Sequence, residues 1–115
     1  MIWAAILFLA TAMGLGGYMA VRGVRLKRPA PRLALVHAAI ALAALAFLAY
    51  RVAAGPKILV YNSALFFLCL AVIGGIFVGA LRERERPPVL PLVLLHAGAA
   101  ATALVLSLVG LTHGY

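Results

Sequence analysis

Four apolar stretches, each close to the length of a bilayer-spanning helix, leave this chain little freedom in what it can fold into. The hydrocarbon core of a membrane is about 30 Å thick, and a helix needs roughly 20 apolar residues to cross it. The stretches 2–21, 33–50, 58–81 and 89–111 meet that requirement, the second being the shortest. A soluble domain needs a polar skin. This chain has 115 residues, 67% of them apolar, and only two acidic residues, Glu83 and Glu85. The expected fold class is all-α, a single integral membrane domain over 1–115 built as a four-transmembrane-helix bundle.

The formal charge of +8 would suggest nucleic acid in a soluble protein. Here the basic residues lie between the spans, where anionic headgroups and the positive-inside rule favour them. No nucleic-acid partner is expected; the lipid bilayer is. Arg22, Arg25, Lys27, Arg28 and Arg32 fall between spans one and two, and Arg82, Arg84 and Arg86 between spans three and four. The remaining connection holds only Arg51 and Lys57. Both strongly basic connections are therefore expected on the cytoplasmic side. Both termini and the 51–57 loop are expected outside, which in a bacterial inner membrane is the periplasm. No basic segment precedes Ile2, so the first stretch reads as a span rather than a cleaved signal. Cys69 is the one cysteine, and inside span three it reads as a small buried apolar filler.

The chain partly matches itself at a shift of 59 residues. Pro29 falls on Pro88, Leu33 on Leu92, Leu35 on Leu94, His37 on His96, Ala38 on Ala97 and Ala41 on Ala100. Farther back, Ala12 falls on Ala71 and Gly16 on Gly75. Leu and Ala matches carry little weight in so apolar a chain, whereas His, Gly and Pro matches carry more. The expected repeat units are 1–56 and 57–115, each with two spans and hence the same orientation. A pseudo-twofold axis along the membrane normal would relate them. Pro29, Pro31, Pro87, Pro88 and Pro91 cluster where spans two and four begin. A first helical turn tolerates proline because its missing N–H would be unpaired there.

An ionisable side chain inside a span is a functional hypothesis by default. For one histidine the bland alternative is a neutral imidazole bonded to a nearby carbonyl. Two at matched positions, His37 and His96, weaken that alternative. His37 lies about 7.5 Å beyond Arg32 at 1.5 Å per residue, inside the hydrocarbon near its cytoplasmic edge. Zinc wants three or four protein ligands, and no Cys, Asp or Glu stands at that depth. Proton relays generally use carboxylates, which the spans lack. Haem iron takes two axial ligands, and two facing neutral histidines supply them.

The other spans carry Gly14, Gly16 and Gly17, and Gly74, Gly75 and Gly79. Small residues commonly let membrane helices pack closely. They also remove side chains where a flat macrocycle would lie, and Gly16, Gly17, Gly75 and Gly79 are the candidates for that role. Ala34, Ala38, Ala41, Ala97, Gly98 and Ala100 keep the histidine-bearing spans thin as well. Among the basic residues at that edge, Arg32 is the propionate candidate.

This arrangement resembles the haem-bearing four-helix core of membrane b-type cytochromes, the cytochrome b and cytochrome b561 class. The resemblance is architectural and covers nearly the whole chain. It implies haem b ligated by histidines on spans two and four, with glycines on spans one and three letting the ring approach. Those families commonly carry two histidines per ligating helix and hold two haems; here one of each implies one haem. His113, close to the outer end and without a repeat partner, does not supply a second.

The function expected is electron transfer between the quinone pool and a partner redox protein, without a catalytic site of the chain's own. The loops are short, so a larger membrane redox complex or a homo-oligomer is expected. Polar residues available to a quinone are Tyr18, Tyr50, Tyr61, Asn62 and Ser63, although tyrosines more often anchor at the interface. Two other readings stay open. One is a cofactor-free structural or assembly subunit that uses the glycines for packing. The other is a small transporter or channel. Against that one, span one lacks the carboxylate of the small multidrug-resistance exporters. The later spans also lack the polar and phenylalanine-rich features of the fluoride channels.

Overall fold

The computed structural model describes residues 2–26, 31–83 and 90–113. Its four helices are α1 (Ile2–Leu26), α2 (Pro31–Ala54), α3 (Leu59–Glu83) and α4 (Leu90–Thr112). All four are long and apolar enough to cross a membrane. The long axis of the molecule is 44 Å, which matches a bilayer of about 40–45 Å with its interfaces. Pro29, Pro87, Pro88, Lys27, Arg28, Arg84, Glu85 and Arg86 lie outside the described residues.

Two helix ends run well past the expected spans: α1 continues to Leu26 rather than 21, and α2 to Ala54 rather than 50. Helix α2 is 24 residues long rather than short. A single arginine near the end of a span does not break a helix, because its long side chain can fold along the bundle. The helix stops at Gly55–Pro56 instead. Gly55 N donates to the Arg51 carbonyl at 3.0 Å. A Cβ at Gly55 would meet the Arg51 guanidinium and lie 2.9 Å from the Arg51 carbonyl oxygen, so a larger residue here must displace the arginine.

Each helix packs against two others: α1 against α2 and α4, and α3 against α4 and α2. The two histidine-bearing helices, α2 and α4, therefore stand across a diagonal. Hydroxyls within the spans bond to their own helix. Thr11 and Thr102 donate to the Leu7 and Gly98 carbonyls, and Ser107 to that of Ala103, each at 2.8 Å. This spares the apolar surroundings an unpaired donor.

The core is confined to one half of the bundle. Its buried residues include Ala5, Leu9 and Ala12 on α1, and Ala44 and Leu48 on α2. On α3 they include Tyr61, Ala64, Leu68 and Ala71, and on α4 Ala100, Ala103 and Ser107. All lie toward the 55–58 connection and the first helix's start. In the opposite half, no described residue within 13–21, 32–43, 72–80 or 91–99 is buried. The burial pattern also recurs at the 59-residue spacing. Ile2 and Tyr61, Ala5 and Ala64, Leu9 and Leu68, Ala12 and Ala71, Ala44 and Ala103, and Leu48 and Ser107 are all buried.

Large apolar side chains such as Trp3, Leu7, Leu35, Phe66, Ile76, Leu94 and Leu95 are exposed. In water such a surface would aggregate; in a bilayer it is the surface presented to lipid. Cys69 is exposed too, which corrects its reading as a buried filler. Residue 69 follows the buried Leu68 by one position, and a helix turns that position away from the core. Tyr61 also departs from an interfacial role. It is 1% exposed. Its ring lies under the Arg51 guanidinium, 4.8 Å from carbon to centroid. The ring rests on Gly110, where an added Cβ would lie 2.7 Å from Cε1.

Candidate functional site

His37 and His96 meet in the middle of the bundle. Their ring centroids are 6.2 Å apart, with the planes at 77°. Helices α2 and α4 do not pack on each other, so the two side chains bridge the diagonal. His96 stands one turn from the buried Ala100 and His37 two turns from the buried Ala44, at the boundary between the packed and loosely packed halves.

Each ring rests on a glycine of the neighbouring helix. A Cβ at Gly16 would lie 3.0 Å from His37 Cε1, and one at Gly75 would lie 3.0 Å from His96 Cε1. Any larger residue at either position must push the imidazole aside. Gly17 and Gly79 differ: nothing lies within 4 Å of a Cβ at either. They stand apart from the histidines. The repeat itself separates the two groups, because Gly17 falls on Ile76 and Gly79 on Ala20. Gly74 is not among the four glycines expected to face a ring, yet it lies against His96. A Cβ there would lie 3.4 Å from His96 Cβ and 3.6 Å from its Cα, so α3 and α4 approach closely at this level.

Backbone carbonyls complete the setting. His96 Nδ1 donates to the Ala71 carbonyl at 2.6 Å. A carbonyl only accepts, so this bond holds the proton on Nδ1 and leaves the Nε2 lone pair free. The Ala12 carbonyl is the equivalent neighbour of His37. There the hydrogen bond does not close, and His37 Nδ1 is buried without a partner. Residue identities carry no signal for these acceptors, since any residue supplies a carbonyl.

Arg32 is exposed in the first turn of α2, at the loosely packed end. His113 lies at the far end of α4, where its Nδ1 donates to the Val109 carbonyl at 2.8 Å. Of the polar residues weighed for a quinone, Tyr18, Tyr50 and Asn62 are exposed, Ser63 is half-buried and Tyr61 is buried.

The donor set can be tested against a metal-bearing group. Two imidazoles that ligate one metal from opposite sides hold their centroids about 6 Å apart, given metal–nitrogen bonds of about 2 Å. The observed 6.2 Å fits. No group of three or more His, Cys, Asp or Glu side chains converges among the described residues. Two imidazoles fall short of the three or four protein ligands that a zinc site takes. No family model matches the chain, and no curated protein or solved structure matches it significantly.

Proposed function

We propose that this protein is a membrane b-type cytochrome that holds one haem between His37 and His96. The observation that carries the reading is the histidine pair, 6.2 Å apart across the bundle diagonal. Haem b would supply a one-electron change at iron. The chain's own part is to present two nitrogens, exclude water and set the iron's surroundings.

Three further features support the reading. His96 is held as the Nδ1–H tautomer, which leaves the ligating nitrogen free. The loosely packed half begins at the histidines and runs toward the basic connections, and the described residues within it are not buried. Arg32 stands at that end, within the region where anionic propionates would seek a cation or water.

In this proposal the bundle is two copies of one hairpin about an axis along the membrane normal. The paired burial of positions 59 apart favours that arrangement, as do the matched glycine contacts. The Lys/Arg distribution favours a cytoplasmic location for the basic end, with both termini outside, in a bacterial inner membrane. The role is electron transfer between quinone and a partner redox protein, as a subunit of a larger complex or a homo-oligomer.

One observation favours a second reading. Gly16 and Gly75 already receive the histidine rings, so these residues also form a snug joint without a cofactor. A structural or assembly subunit would need no more. The two readings separate on colour. A purified cytochrome shows a Soret band and sharp α and β bands after dithionite reduction, and a structural subunit shows neither.

A further inference from the structure

The two histidines occupy matched positions but not matched settings. His96 Nδ1 donates to the Ala71 carbonyl at 2.6 Å, while His37 Nδ1 is buried without a hydrogen bond. A second difference accompanies the first. Gly74 lets α3 approach α4 until a Cβ at that position would touch the His96 backbone at 3.6 Å. The residue 59 positions earlier is Leu15, a larger side chain at the matched position. The second hairpin closes its hydrogen bond and the first does not.

A ligating imidazole that donates its other N–H is oriented before the metal arrives and is the more basic donor. An imidazole without that bond is oriented by packing alone and pays more entropy on binding. Resting on the haem reading, we infer that His96 is the anchoring ligand and His37 the exchangeable one. Gly74 and the Ala71 carbonyl act as positioning groups through His96. Loss or displacement of His37 would open one coordination position to a small exogenous ligand such as carbon monoxide or imidazole.

The test compares His37→Gly and His96→Gly in membranes expressed with ample haem, with the wild type alongside. The expected result is that His37→Gly keeps at least half of the wild-type haem as a high-spin, five-coordinate species. It should bind carbon monoxide, and added imidazole should return it to the low-spin spectrum. His96→Gly should retain less than about a tenth. Equal loss in both variants, or the reverse order, overturns the inference and leaves the haem reading standing. A wild type without haem overturns both.

A reciprocal swap guards against variants that simply misfold. Leu15→Gly should slow displacement of His37 by carbon monoxide several-fold in an otherwise intact protein, because the first hairpin gains the second's close approach. Gly74→Leu should speed loss of haem to an apo-globin acceptor several-fold. If neither swap moves these rates, the positioning role assigned to Gly74 is wrong.

Discussion

A methyl group placed on Gly75 would lie 3.0 Å from His96 Cε1, the distance that also separates a methyl on Gly16 from His37 Cε1. The pair of glycines thus sets where the pair of imidazoles can stand. Replacing either by alanine is expected to cost about 1–3 kcal/mol, the range for overpacking a filled site. It should also broaden or shift the low-spin haem bands. Gly17→Ala and Gly79→Ala meet open space. They should be neutral or stabilising by up to about 1 kcal/mol, since alanine costs less backbone entropy in a helix. Thermal unfolding in detergent, read beside the visible spectrum of each variant, checks the contrast.

The opposite end of the bundle should respond independently. At Gly110 an added Cβ would lie 2.7 Å from Tyr61 Cε1 and 2.8 Å from Cζ, and Tyr61 is buried, so its ring has nowhere to go. Gly110→Ala is expected to destabilise by about 1–3 kcal/mol without changing the haem bands, being about 21 Å along α4 from His96 at the usual helical rise. Adding Tyr61→Leu should recover part of the loss, as contacting residues couple. Additive losses in the double variant would contradict the packing described.

The uneven core predicts uneven tolerance. Ala103 is fully buried, so Ala103→Leu should destabilise by about 1–3 kcal/mol or prevent folding. Ala34 lies in the loosely packed half and is only half-buried. Ala34→Leu should leave the bundle folded and instead lower haem occupancy, because it adds bulk one turn from His37. Unfolding midpoints and haem-to-protein ratios of the two variants give the comparison.

Orientation can be read by labelling. In a Cys69→Ala background, Lys57→Cys should react with a membrane-impermeant maleimide added to intact cells, and Arg28→Cys should react only after lysis. The Lys/Arg bias is the basis for this expectation. The opposite pattern would invert the proposed topology.

Much of the fold was legible because it depends on run length alone. An apolar stretch near twenty residues in lipid has essentially one solution, a helix that satisfies its own backbone. The end of α2 was not legible, because Arg51 reads as a loop residue until its side chain is seen lying over Tyr61. The histidines stood out as rare ionisable residues at matched positions. Gly16 and Gly75 shared that match, whereas Gly17 and Gly79 did not and touch neither ring. The roles of Gly74 and the Ala71 carbonyl were not legible because they lie in backbone approach. Cys69 was misjudged because membership of a span says nothing about which side of the helix a residue takes.

The most direct measurement of the central claim is the haem content of the purified, folded protein, expressed with haem available and read by dithionite-reduced minus oxidised spectroscopy. The account predicts one haem per chain, low-spin in both states, with His37→Ala and His96→Ala each abolishing the six-coordinate spectrum. A monodisperse, helical preparation that stays colourless and does not take up added hemin would contradict it.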